Sequence, residues 1–117
     1  MRPIALIAIL PSLLFGTVAA NAHAFLDHAN PLVGSTVAAA PREVTLTFTQ
    51  KLEPAFSGIS VTNAAGQRLD TGGTRVSGTV MRVTLRPGGT GTYRVNWKVL
   101  SVDTHTTEGS FTFKVGQ

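Results

Sequence analysis

Between residues 43 and 49 every second side chain is apolar: Val44, Leu46 and Phe48 alternate with Thr45, Thr47 and Thr49. A period of two turns one set of side chains to a core and the other to water, so this stretch reads as a half-buried strand. The same period returns at Ile59 and Val61, at Met81, Val83 and Leu85, at Tyr93, Val95, Trp97 and Val99, and at Phe111, Phe113 and Val115. No helical stripe of comparable length follows residue 22. Breakers separate the runs, among them Pro41, Pro54, Gly58, Gly66, Pro87 and Gly109. Many short antiparallel strands at such spacing predict an all-β sandwich or barrel of about seven or more strands. Residues 67–77, with little alternation, predict an irregular connection or a weak edge strand. The glycines at 88, 89 and 91 predict a hairpin loop, since no helix follows to make a phosphate-binding turn.

A chain of 117 residues is one domain, and its start shortens the folded part further. Met1 and Arg2 form a short positive region, residues 4–15 are apolar, and Ala20-Asn21-Ala22 is the small-x-small pattern cut by signal peptidase. The rival reading, an uncleaved anchor, is disfavoured because the apolar run falls short of about 20 residues and contains Pro3 and Pro11. The expected division is a signal peptide over residues 1–22 and one domain over residues 23–117. The mature protein is then exported, which in a Gram-negative bacterium means the periplasm. The chain has no Cys, which excludes a disulfide framework and any thiolate metal site. Its 10 Lys and Arg against 6 Asp and Glu are dispersed singly, so no nucleic-acid partner is expected. No nucleophile motif is present, no catalytic residue is assigned, and the chain reads as a non-enzyme.

Cleavage after Ala22 has a chemical consequence, because it makes His23 the first residue and its main-chain nitrogen a primary amine with a pKa near about 7.7. That amine and the imidazole Nδ1 of the same residue close a six-membered chelate ring on one metal ion. Two nitrogen donors held in cis suit a tetragonal ion. Copper(II) prefers planar nitrogen and oxygen donors and heads the divalent affinity series, whereas zinc prefers a tetrahedron.

A second cluster, Ser101-Val102-Asp103-Thr104-His105, lies between the longest strand signal and the last one. In an extended segment residues two apart project to the same side, so Asp103 and His105 are expected to face a common point. With His23 they supply three nitrogens and one oxygen, the donor set of a copper(II) plane. Taken alone, Asp-x-His is a weak motif that also fits a strand end and a solvated turn. It gains weight from the separate His placed directly after a cleavage site.

The mature chain resembles the CopC family of exported copper-resistance proteins. The resemblance rests on the N-terminal His23-Ala24-Phe25-Leu26, on Phe48 through Leu52, on Gly91 through Trp97, and on Ser101 through His105 leading into the final strand. It implies an immunoglobulin-like or cupredoxin-like Greek-key β-sandwich, and a copper(II) site of one ion per monomeric chain held by His23, Asp103 and His105. It further implies a role in copper resistance or homeostasis, with a CopD-like inner-membrane copper transporter as a partner. Two departures stand out. Gln50 is a neutral amide where some members carry Glu beside the copper(II) site, so Gln50 is not counted as a ligand. Members that also bind copper(I) carry a Met-rich loop near residues 63–70, whereas here only Met81 survives cleavage, and one Met in an alternating strand reads as core. A copper(II)-only protein is expected.

His28 lies five residues after His23, an odd separation that turns it away on an uninterrupted strand, although a bend would reverse that parity. Asp27 and Glu108 are read as exposed carboxylates with the alternative of orienting an imidazole. Trp97 and Tyr93 share the face of Val95 and Val99 and are read as core. Two rival functions remain in view. A histidine-brace copper oxidase would use the same N-terminal His, but the Asp occupying the plane and the scarcity of exposed aromatics weigh against it. A metal-free sandwich used for protein contact would make His23 incidental.

Overall fold

The computed structural model describes residues 24–116. Their strands run β1 (Leu26–Asn30), β2 (Thr36–Val37), β3 (Glu43–Phe48), β4 (Gly58–Thr62), β5 (Arg75–Ser77), β6 (Val80–Thr84), β7 (Gly91–Leu100) and β8 (Thr106–Val115). They form two four-stranded sheets, ordered β1-β3-β6-β5 and β2-β8-β7-β4. The chain changes sheet at every connection except the β5–β6 and β7–β8 hairpins, which gives the sandwich its expected Greek-key character.

The period of two places the core. Val44, Leu46, Phe48, Met81 and Val83 from one sheet meet Ile59, Val61, Tyr93, Val95, Val99, Phe111, Phe113 and Val115 from the other, all buried. Each large side chain so buried contributes about 1.5–3 kcal/mol, which lets a domain without disulfides close on packing alone. Met81 is fully buried, in keeping with its reading as core. Trp97 is half-buried and packs edge-on against Phe48, ring centroids 5.0 Å apart, so it ties the two sheets together. A Cβ on Gly109, its cross-strand neighbour, would stand 2.6 Å from the indole. Only glycine leaves room for the ring there.

Residues 67–77 behave as expected: Arg75–Ser77 is a short strand at the edge of its sheet. The glycines at 88, 89 and 91 do not form a hairpin. Gly88 and Gly89 lie on the crossing from β6 to β7, which belong to different sheets, and Gly91 opens β7. Gly88 allows a close approach, because Tyr93 donates its hydroxyl to the Gly89 carbonyl at 2.7 Å and a Cβ on Gly88 would clash with that hydroxyl. Local composition shows a turn but not which sheet receives the next strand.

One buried carboxylate fastens the connection before β5. Asp70, 1% exposed, accepts the Val61 N–H at 2.8 Å and the Arg68 Nε at 2.9 Å, while Arg86 donates to its carbonyl at 2.6 Å. Burial alone would raise its pKa. The Arg68 hydrogen bonds, the Val61 N–H and the Arg68 charge outweigh that and hold the carboxyl below its ordinary 3.8. A depressed folded value means that the stabilisation is complete above 3.8 and is lost as pH falls through the folded value. Asp70→Asn is therefore expected to cost about 1–3 kcal/mol at neutral pH. Urea midpoints of the two proteins should differ there and converge as pH is taken below the ordinary carboxyl range.

Candidate metal centre

The two long strands β7 and β8 pair continuously from Gly91↔Val115 to Leu100↔Thr106, and residues 101–105 close the hairpin. Ser101 N–H donates to the His105 carbonyl at 3.0 Å and Thr104 N–H donates to the Ser101 carbonyl at 2.8 Å. Thr104 has φ 74°, the left-handed region. This is a three-residue hairpin loop in which a turn is followed by one left-handed residue, a position that favours glycine. A β-branched residue there is strained. Asp103 and His105 are thus brought together by a folded turn and not by the extended segment the spacing suggests. The shared outcome is a carboxylate and an imidazole on one spot: Asp103 Oδ1 and His105 Nδ1 are 3.4 Å apart, with both side chains partly open to solvent.

Ser101, fully buried, sits beneath the pair. Its hydroxyl donates to Asp103 Oδ1 in a short hydrogen bond, lies 3.2 Å from the His105 carbonyl, and accepts the His105 N–H at 3.4 Å. That hydrogen bond, partly offset by desolvation and reinforced by His105, holds the Asp103 carboxyl below its ordinary range, so it is an anion at neutral pH. The turn is also tied sideways. Val102 N–H donates to the Lys51 carbonyl at 3.0 Å, Glu53 N–H donates to the Leu100 carbonyl at 2.8 Å, and Leu52 bridges Ser101.

His23 lies outside the described residues, as does the cleavage site before it. The described chain begins beside the hairpin. The Ala24 carbonyl accepts the Thr107 hydroxyl at 2.7 Å, and Thr107 is two residues beyond His105. Phe25 and Thr49 exchange hydrogen bonds, Phe25 N–H to Thr49 Oγ1 at 2.9 Å and Thr49 N–H to the Phe25 carbonyl at 2.9 Å. Ala24 is wholly buried between the sheets. Among the described residues, no group of three or more His, Asp or Glu gathers as a metal cluster. Asp103 and His105 are a pair, and any third ligand comes from elsewhere.

The other weighed His, Asp and Glu residues do not gather with that pair into a metal cluster among the described residues. His28 Nδ1 meets Asp27 Oδ2 at 2.9 Å, both exposed on β1, where a bulge between Leu26 and His28 interrupts the strand. Glu108 is exposed and stands opposite Lys98. It helps line an open groove with Phe56, Arg68 and Trp97, and neither Asp103 nor His105 lines that groove. Gln50 is half-buried at the bend after β3. Sequence reasoning missed Ser101, Thr107 and Thr49. A Ser two residues before the Asp was the one signal available, and nothing local marked the two threonines.

A CopC domain model matches residues 26–116. Protein YobA of Escherichia coli K12 is 36% identical over 80% of this chain and 79% of its own length. Copper resistance protein C of Xanthomonas campestris pv. juglandis is 33% identical over 97% of this chain and 96% of its own. The crystal structure of CopC from Methylosinus trichosporium OB3b superposes with a TM-score of 0.75 at 33% identity, covering 80% of this chain and 93% of that one.

Left-handed backbone at a β-branched residue costs about 1–2 kcal/mol. Thr104→Gly is therefore expected to raise the stability of the metal-free protein by about 1 kcal/mol, read as an upward shift of its thermal midpoint. An unchanged or lower midpoint would show that the Thr104 hydroxyl, which donates to the Asp103 carbonyl at 2.5 Å, offsets the strain.

Proposed function

The chain belongs to the CopC family of copper-resistance proteins, and on that premise we propose that it is an exported, non-enzymatic copper(II)-binding protein whose ligands are His23, Asp103 and His105. The observation that carries the reading is the 3.4 Å approach of Asp103 Oδ1 and His105 Nδ1 beside the point where the described chain begins. Donors at about 2.0 Å from a first-row metal ion and at right angles stand about 2.8 Å apart, so a small closure of the pair suffices for two cis positions. Removal of residues 1–22 gives His23 a free amine, and its amine and imidazole fill the other two. Three nitrogens and a carboxylate oxygen match copper(II), and with no Cys and no Met outside Met1 and the buried Met81 the chain offers no soft donors for copper(I).

In this reading one ion binds per monomer in the periplasm, where the protein captures copper or carries it to an acceptor such as a CopD-like inner-membrane transporter. Four donors, two of them joined in one residue, support a dissociation constant on the order of picomolar, about 16 kcal/mol. Protons compete for the amine and both imidazoles, so affinity falls as the medium is acidified.

The test is mass spectrometry of the exported protein followed by copper(II) titration of two forms, one starting at His23 and one with a single extra residue before it. The extra residue converts the amine to an amide and is expected to weaken binding at least about a hundredfold, or about 2.7 kcal/mol. A mature chain starting elsewhere, or equal binding by both forms, would remove the amine-chelate site and leave only the sandwich.

A further inference from the structure

We infer that Ser101 is a positioning residue of the metal centre, acting through Asp103. The inference rests on the copper reading of Asp103 and His105. Ser101 is one of two buried polar or charged residues among those described, the other being Asp70 in its ion pair. A hydroxyl with no exposure is costly unless its hydrogen bonds are made, and all of this one's partners belong to the ligand pair: Asp103 Oδ1, the His105 carbonyl and the His105 N–H. It is therefore built into the hairpin for those two residues.

The geometry defines what it does. The Ser101 hydroxyl and His105 Nδ1 both approach the same carboxylate oxygen, Oδ1. Donation from a fixed, buried hydroxyl locks the rotation of the carboxylate and so presents it to the metal in one orientation. Ser101 itself is held by the core side of the hairpin. Its N–H is spent on the His105 carbonyl, and Leu52 bridges it from the neighbouring segment. A carboxylate on an open turn would otherwise rotate freely and lose entropy on binding.

Outer hydrogen bonds to metal ligands are typically worth 10–100-fold in metal affinity. Ser101→Ala is expected to weaken copper(II) binding by that factor and to alter the copper(II) electron paramagnetic resonance parameters, since the carboxylate no longer sits in one orientation. In an Asp103→Ala background the same change is expected to have no further effect on affinity, because the residue it acts through is gone. Ser101→Thr, which keeps the hydroxyl, should bind as wild type, and Ser101→Val, of the same shape without it, should bind as Ser101→Ala. The Thr and Val pair carries the comparison if the Ala variant does not fold.

Wild-type affinity and an unchanged spectrum in the Ala or Val variant, with only a lower melting temperature, would overturn the inference and leave Ser101 a purely structural residue. An equal loss in the Asp103→Ala background would do the same. Wild-type binding by Asp103→Ala would instead overturn the copper reading itself, so the two failures are distinguishable.

Discussion

The ten register pairs of the β7–β8 hairpin are the support from which the rest of the site hangs. Strand pairing on that scale leaves the loop at its tip little freedom, and three-residue closure then dictates a left-handed residue at 104 whatever the side chain. The inward faces of the same two strands supply Tyr93, Val95, Val99, Phe111, Phe113 and Val115 to the core. Displacing the loop therefore means unpacking the sandwich. Packing on one face of the hairpin and presentation of Asp103 and His105 at its end are consequences of one set of hydrogen bonds.

The beginning of the described chain is fixed with equal economy. Ala24 and Phe25 reach across the sandwich, one to Thr107 of β8 and the other to Thr49 after β3, so they join both sheets at the hairpin end. A fully buried Ala24 tolerates no larger side chain without repacking. This anchoring connects a processing event to a coordination site in the proposed reading. A new amine is useful as a ligand only if it is made where the other ligands are, and the hydrogen bonds of residues 24 and 25 hold the beginning of the described chain at the hairpin end.

The sandwich was legible because burial in a two-layer sheet follows the period of two with few exceptions. Val44, Leu46 and Phe48 are buried as their alternation requires, as are Met81, Val83 and Leu85. Wiring was less legible. Pro87 and the glycines after it mark a break in β structure but look the same whether the chain turns back in its own sheet or crosses to the other. The closeness of Asp103 and His105 was also legible, though for a reason that does not apply: spacing suggested an extended strand, and a left-handed Thr104 did the work instead. A glycine at 104 would have announced the turn, whereas threonine is a strand former that hides it. Asp70 illustrates the remaining gap. Nothing in its neighbourhood in sequence distinguishes a carboxylate buried against Val61 from one in water, because the partner N–H belongs to a strand nine residues away.

The division between core and site also bears on how a metal would be held. Asp103 and His105 are partly exposed at the hairpin tip, and the buried core of the described residues is almost wholly apolar. On the proposed copper reading, a core of this kind sets the domain apart from small metal-dependent modules, in which binding free energy is folding free energy and removal of the ion unfolds the chain. Here the ion would add stability only by mass action, in proportion to the logarithm of its concentration over its dissociation constant. In the proposed reading two of the donors, Asp103 and His105, are already close together, so much of their ordering entropy is lost during folding instead of during binding. Tight binding in such a site is expressed mainly as slow dissociation. In the proposed reading, release to an acceptor requires an agent that acts on a ligand, and Asp103 and His105, partly exposed at the tip of the β7–β8 ladder, are open to one without any opening of the core.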